Sequence, residues 1–169
     1  MSMFYNPSTL QFRLRGIAAG THPFECLIDP SLIDIAEVVS IINIKGELTA
    51  SDLFVFKMQI ATTLGLICDR CAEGFEYPVK TPLEVIYVRS GNEEDMPDSG
   101  YLHTFDGIQL FEVDLTEDVH DAIFLRLPMK RLCRSDCPGI PLTDNEPEEV
   151  DERFSPLAQL LSKLKSEEE

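Results

Sequence analysis

The segment LFVFKMQIATTLGLIC, residues 53 to 68, constrains the fold of this chain more than any other. Phe54, Phe56, Met58, Ile60, Thr62, Leu64 and Leu66 alternate with Val55, Lys57, Gln59, Ala61, Thr63 and Gly65. Neighbouring side chains of an extended backbone point to opposite faces, so this period of two describes one long strand with a single face in a core. Gly65 is expected to mark a bulge or bend that redirects the chain toward Cys68.

Shorter runs repeat the pattern. TLQFRLRGI sets Leu10, Phe12 and Leu14 against Gln11, Arg13 and Arg15, a half-buried strand. A second strand is expected at about 23 to 29 and a third at about 37 to 48, with LTASD as the turn that follows. FEYPVKTPLEVIYV alternates again, but Pro78 and Pro82 lack amide donors and argue for an edge position or a break. In YLHTFDGIQLFEVD the Asp106-Gly107 pair signals a tight hairpin.

The period then changes. DLTEDVHDAIFLRLP offers Asp114 as N-cap with Glu117 three residues on, and Leu115, Val119, Ala122, Ile123 and Arg126 fall on one helical face. Pro128 stops that helix. SPLAQLLSKLKSEEE places Leu157, Leu160, Leu161 and Leu164 on one stripe of a second, shorter helix. The expected class is α+β. We expect a mainly antiparallel, strongly curved sheet, a partial barrel with one central helix and a short C-terminal helix, its cysteine loops closing one end.

A length of 169 residues suits one core. Residues 1–143 are expected as a single α+β domain and 144–169 as an acidic tail carrying the short amphipathic helix. Thirty acidic residues against fourteen basic ones give a net charge of −16, a field that repels phosphate backbones. A nucleic-acid role would therefore need a local basic patch or a basic protein intermediary. No window is long and apolar enough to span a membrane, and the N-terminal residues lack the apolar core of a signal peptide. The expected location is cytoplasmic.

Five cysteines in a reducing compartment do not suggest a disulfide framework. Cys26 alternates with Phe24 and Ile28 and reads as a buried small hydrophobe. The other four form two pairs, CDRC at 68–71 and CRSDC at 133–137. Thiolates two residues apart in a tight turn can both face one ion, and two such turns complete a four-sulfur tetrahedral zinc site. Cys68, Cys71, Cys133 and Cys137 are thus candidate zinc ligands. Two other readings stay open: a dithiol redox couple at Cys68 and Cys71, or free thiols that hold nothing.

MKRLCR contains the only dense basic cluster, Lys130, Arg131 and Arg134. It reads either as charge that compensates helix C-terminal carbonyls and nearby acids or as a contact for phosphate on a partner. His22, His103 and His120 lie apart along the chain and read as structural or solvated. There is no phosphate-cradling glycine loop, nucleophile elbow or paired-histidine metal motif, so the sequence proposes no reaction.

CDRCAEGFEYPV, then VDLTEDVHDAIFLRLPMKRLCRSDCPGI, then DERFSPLAQLLSKL resemble, in order and spacing over roughly residues 50 to 165, the YceD family of large ribosomal RNA subunit accumulation proteins. The resemblance implies a non-enzymatic accessory role in large-subunit ribosomal RNA accumulation and ribosome biogenesis. It implies as partner a large-subunit ribosomal protein or ribosomal RNA precursor. Many members carry a further cysteine pair after the fourth cysteine, where this chain reads CPGIPLTDNEPEE. A metal site that used those cysteines cannot form here.

Overall fold

The alternating run becomes one unbroken strand. In the computed structural model, which describes residues 4–89, 101–105 and 112–140, it spans Phe54–Ile67 and pairs antiparallel with Gly74–Arg89. In chain order the elements are β1 (Gln11–Arg13), β2 (Gly20–Ile28), a 3-10 turn (Pro30–Leu32), β3 (Ile42–Ala50), β4 (Phe54–Ile67), β5 (Gly74–Arg89), β6 (Tyr101–Phe105), β7 (Glu112–Asp114) and α1 (Thr116–Phe124). The chain divides into two units, Met1–Cys137 and Pro138–Glu169, and all of these elements belong to the first. The expected acidic tail and its helix lie outside the described residues, as do the acidic segment 91–100 and the Asp106-Gly107 turn.

A five-stranded sheet runs in the order β2-β3-β4-β5-β6, antiparallel except for the β5–β6 pair. Its inward face carries Ile44, Leu48, Phe56, Ile60, Leu64 and Val85, all 0% exposed. The alternation of β4 explains why: every second side chain from Phe56 to Leu66 is buried while Lys57 and Gln59 face out. Leu115, Val119 and Ile123 of α1 and Phe12 of β1 join the same core. Cys26, opposite Ile44, is fully buried within it, and desolvation, with a smaller contribution from Glu25, pushes its thiol up to about 11.

Two expectations are corrected. The sheet is open, and the strongly curved partial barrel does not form. The described residues are mostly sheet, 50% strand and 10% helix, with α1 the one α-helix among them. Barrel closure needs edge-to-edge pairing, but β1 pairs with β7 in a separate two-stranded ribbon, and β6 reaches only Val85 to Arg89 of β5. Second, Gly65 marks no bulge, since the β4–β5 register continues through Gly65 opposite Glu76. It serves a close approach instead: a Cβ there would lie 2.8 Å from Val39 Cγ1. β6 pairs with β5 and β7 with β1, and the segment between them, which holds the expected hairpin turn, lies outside the described residues.

The other boundaries moved by a few residues. Val38 meets β4 in an isolated bridge opposite Leu64. The strand expected from 37 is then interrupted where Ser40 Oγ accepts the Thr63 amide at 2.8 Å, so β3 begins at Ile42. Pro78 and Pro82 do not break β5. Among the described residues they lie where β5 has a strand on one side only, the place a missing amide donor is tolerated. The N-cap of α1 is Leu115, one residue after the expected Asp114, and it makes no side-chain cap bond; Asp114 Oδ1 accepts the Thr116 amide at 2.9 Å from just outside the helix. Arg126 falls past the end of the helix and donates from Nε to Thr81 Oγ1 at 2.9 Å.

Candidate metal centre

The β4–β5 hairpin is closed by Cys68 to Glu73. The Cys68 amide donates to the Glu73 carbonyl at 2.9 Å, and the Ala72 amide returns to the Cys68 carbonyl at 2.9 Å. This wraps the chain tightly enough that Ala72 takes φ 59°, the left-handed region. Both cysteines of the first pair are thereby presented at the end of the longest ladder among the described residues. The second pair follows α1, whose chain leaves through tight turns in which Leu125 donates to Asp121 and Leu127 to Phe124. Another turn, from the Cys137 amide to the Arg134 carbonyl at 3.2 Å, brings Cys133 and Cys137 together.

Polar contacts hold the two loops against each other. The Asp69 amide donates to the Arg131 carbonyl at 2.7 Å, and the Arg131 amide donates to Asp69 Oδ2 at 2.8 Å. Arg70 donates from Nη1 to the Cys137 carbonyl at 3.0 Å, and the Arg131 guanidinium meets Glu37 at 3.2 Å. Arg70 was legible from its place inside CDRC as a positive charge beside the sulfurs. Glu37 was not, because nothing in the spacing connects positions this far apart.

The result is a cluster of four sulfurs within 4.8 Å of one another. Cys68 Sγ lies 3.8 Å from Cys137 Sγ, and Cys71 Sγ lies 3.8 Å from Cys133 Sγ. Four ligands about 2.3 Å from a tetrahedral zinc ion stand about 3.8 Å apart, so the donor set fits such an ion in both size and chemistry. None of the four is in a disulfide. Cys68 and Cys137 are buried, while Cys71 and Cys133 are half-buried.

Backbone amides tune the cluster. The Cys133 amide, then that of Cys71, lower the Cys68 thiol to about 6. For Cys71 the largest single influence, the Glu73 amide, is lowering, but burial and the neighbouring thiols of Cys68 and Cys137 outweigh it and the net direction is up. Burial, followed by the thiols of Cys137, Cys68 and Cys71, pushes Cys133 up to about 12. A divalent cation held by these sulfurs would draw all four to the thiolate form. A redox couple needs its low-pKa sulfur accessible, whereas here that sulfur, on Cys68, is only 2% exposed.

The sequence model of a family described as "Large ribosomal RNA subunit accumulation protein YceD" matches residues 56–161. The chain belongs to the YceD family. No curated protein and no solved structure matches it. The matched span of this YceD family member contains all four cysteines, and the description links it to accumulation of large-subunit ribosomal RNA.

Within this YceD family member the three basic residues separate in role. Arg131 is committed to Glu37, whereas Lys130 is exposed and Arg134 only approaches the equally exposed Asp136 at 3.6 Å. The histidines stay apart: His22 contacts the Ala18 carbonyl, His120 contacts Asp121, and His103 Nε2 meets the buried Asp118 at 2.8 Å. That last pair was missed, because a histidine alternating with Tyr101 and Phe105 gives no signal of a buried carboxylate partner on α1. Among the described residues no helix is long and apolar enough to cross a membrane.

Proposed function

We propose that this YceD family member is a non-enzymatic accessory factor in large-subunit ribosomal RNA accumulation and ribosome biogenesis. In this reading a structural zinc ion is held by Cys68, Cys71, Cys133 and Cys137. The observation that carries the zinc reading is the pair of 3.8 Å sulfur separations between loops from distant parts of the chain. Bound zinc would supply a fixed, redox-inert tetrahedral link between the β4–β5 hairpin and the segment after α1. The protein's own contribution is to orient the sulfurs by backbone amides and to place Arg70 beside them, easing the negative charge of four thiolates.

The partner is a large-subunit ribosomal protein or ribosomal RNA precursor, met in the cytoplasm. Lys130 and Arg134 are available for that contact, and Arg131, between them, fixes the loop that displays both. Elemental analysis of freshly purified protein should give one zinc per chain. Cys68→Ser and Cys133→Ser should each lose it. Neither variant should restore large-subunit RNA in cells that depend on the protein. A wild-type chain free of metal would end the zinc reading, and unchanged large-subunit RNA on deletion would end the functional one.

A further inference from the structure

The outward face of the sheet changes character halfway along its strands. Near the start of β4 it is charged and self-neutralised, with Lys45 on Glu25 at 2.9 Å and Lys57 on Glu84 at 3.5 Å. This is the ordinary wet face of an antiparallel sheet. Toward the cysteine end the same face carries Leu27, Val39, Ile41, Ala61, Ile67 and Pro78. Strand register puts Leu27, Ala61, Ile67 and Pro78 on this face with Lys45 and Lys57, because each is an even number of residues from an outward position. Val39 lies against Gly65, and Ile41 lines a shallow depression with Ala61, Thr63 and Pro78. Leu27 is 54% exposed, Val39 58%, Ile41 62% and Ile67 64%.

β-Branched residues set side by side on a wet sheet face mark a surface that is covered in use, because they gain nothing from water. The rim says by what. Among the described residues, Glu76, paired with Gly65, and the loop residues Asp69 and Glu73 are exposed acids by the patch, against Lys80 on it and Arg70 in the same loop. A chain of net charge −16 also draws cationic partners and repels both RNA and a second copy of itself.

We infer that this apolar, acid-rimmed face docks a basic protein segment bearing aliphatic side chains. The inference deepens the proposed function by choosing a protein, not RNA, as the direct partner, and rests on that reading for which proteins to try. The cysteine loops border the patch, since Ile67 directly precedes Cys68. The metal-linked hairpin thus forms one wall of the docking face.

The probes are the individual proteins of purified large ribosomal subunits, immobilised one by one, and the subunit's RNA stripped of protein. Full-length wild type should hold at least one basic protein at 0.15 M salt, with a dissociation constant in the micromolar range. Ile41→Glu/Ile67→Glu should bind it at least tenfold more weakly, with zinc content and melting temperature retained. Val39→Ser/Ile41→Ser, which adds no charge, should weaken it in the same direction.

Equal binding by wild type and both patch variants would overturn the inference. So would retention of stripped RNA with no protein bound, or a wild-type dimer that Ile41→Glu/Ile67→Glu dissolves. Complementation separates this failure from that of the proposed function. If the patch variants fully restore large-subunit RNA to a deletion strain, the docking face is wrong and the proposed function stands. If deletion leaves that RNA unchanged, the proposed function falls.

Discussion

Ala72 holds a backbone conformation that suits glycine. Its φ of 59° is imposed by the turn that carries Cys68 and Cys71, and a Cβ in that region costs roughly 1–2 kcal/mol. Ala72→Gly should therefore stabilise the metal-loaded protein by about 1 kcal/mol, read as a shift of the urea midpoint at unchanged slope. No shift would mean the turn relaxes around alanine without strain. Asp118 poses a different residue-scale problem. Burial is the largest cause and raises its carboxyl, the hydrogen bond and charge of His103 pull the other way, and Asp121 and Glu117 add to the rise. Protonated Asp118 is thus favoured by the fold. Its contribution to stability is complete below about pH 3.9, the unfolded value, and is lost as pH rises through the raised folded value. Asp118→Asn keeps an acceptor for His103 and has nothing to ionise. Its stability relative to wild type should therefore increase with pH above about 4, followed by urea unfolding up to pH 7. Parallel pH profiles for the two proteins would refute the burial argument.

At the scale of elements, the contact between Gly65 and the segment before β3 decides whether β4 can stay straight. A methyl at Gly65 would meet Val39 Cγ1 at 2.8 Å, and β-branched valine has few rotamers into which to retreat. Gly65→Ala should cost about 1–3 kcal/mol, the usual range for overpacking. Val39→Ala in the same chain should recover most of that loss, because it removes the atom in conflict. Additive costs in the double-mutant cycle would show that the strain lies elsewhere. The same contact shows why the sequence was only partly legible. Alternation identifies β4 and β5 because burial on one face is written into every second residue. It is silent on partner choice, which is why β1 leaves the main sheet for β7 and β6 joins β5 in parallel. A glycine that allows close approach looks the same in sequence as one that allows a bulge. The site divides in the same way. Each cysteine spacing reports its own turn, but the meeting of Cys71 with Cys133 depends on a straight β4–β5 hairpin and on the path after α1, neither of which spacing encodes.

At the scale of the whole molecule, β4 joins two ends that are stabilised differently. At its start an aromatic cluster packs Phe12 on Phe24 at 4.9 Å and on Phe56 at 5.0 Å, in edge-on geometries that add to the gain from burial. At its end, about 40 Å away at the usual rise of a strand, the cysteine loops are held by a few polar contacts and by whatever the four sulfurs bind. Ile67 and the loop residues Asp69, Arg70, Ala72 and Glu73 are exposed, so apolar packing thins out beyond Leu66. Folded proteins open in units whose stability follows local burial. Removing the metal should thus loosen one end and leave the other intact. With zinc at a thousand times its dissociation constant, chelation should cost about 4 kcal/mol. Amide exchange shows where that cost falls. After chelation the amides of Cys68, Asp69, Ala72 and Cys137, each hydrogen-bonded within or between the two loops, should exchange at least tenfold faster. The amides of Leu48, Phe56 and Val85, deep in the sheet beside the aromatic cluster, should keep their rates within about twofold because they open only with the whole core. If protection collapses uniformly, the cysteine centre holds up the entire sheet, and the division of the molecule into two independently stabilised ends is wrong.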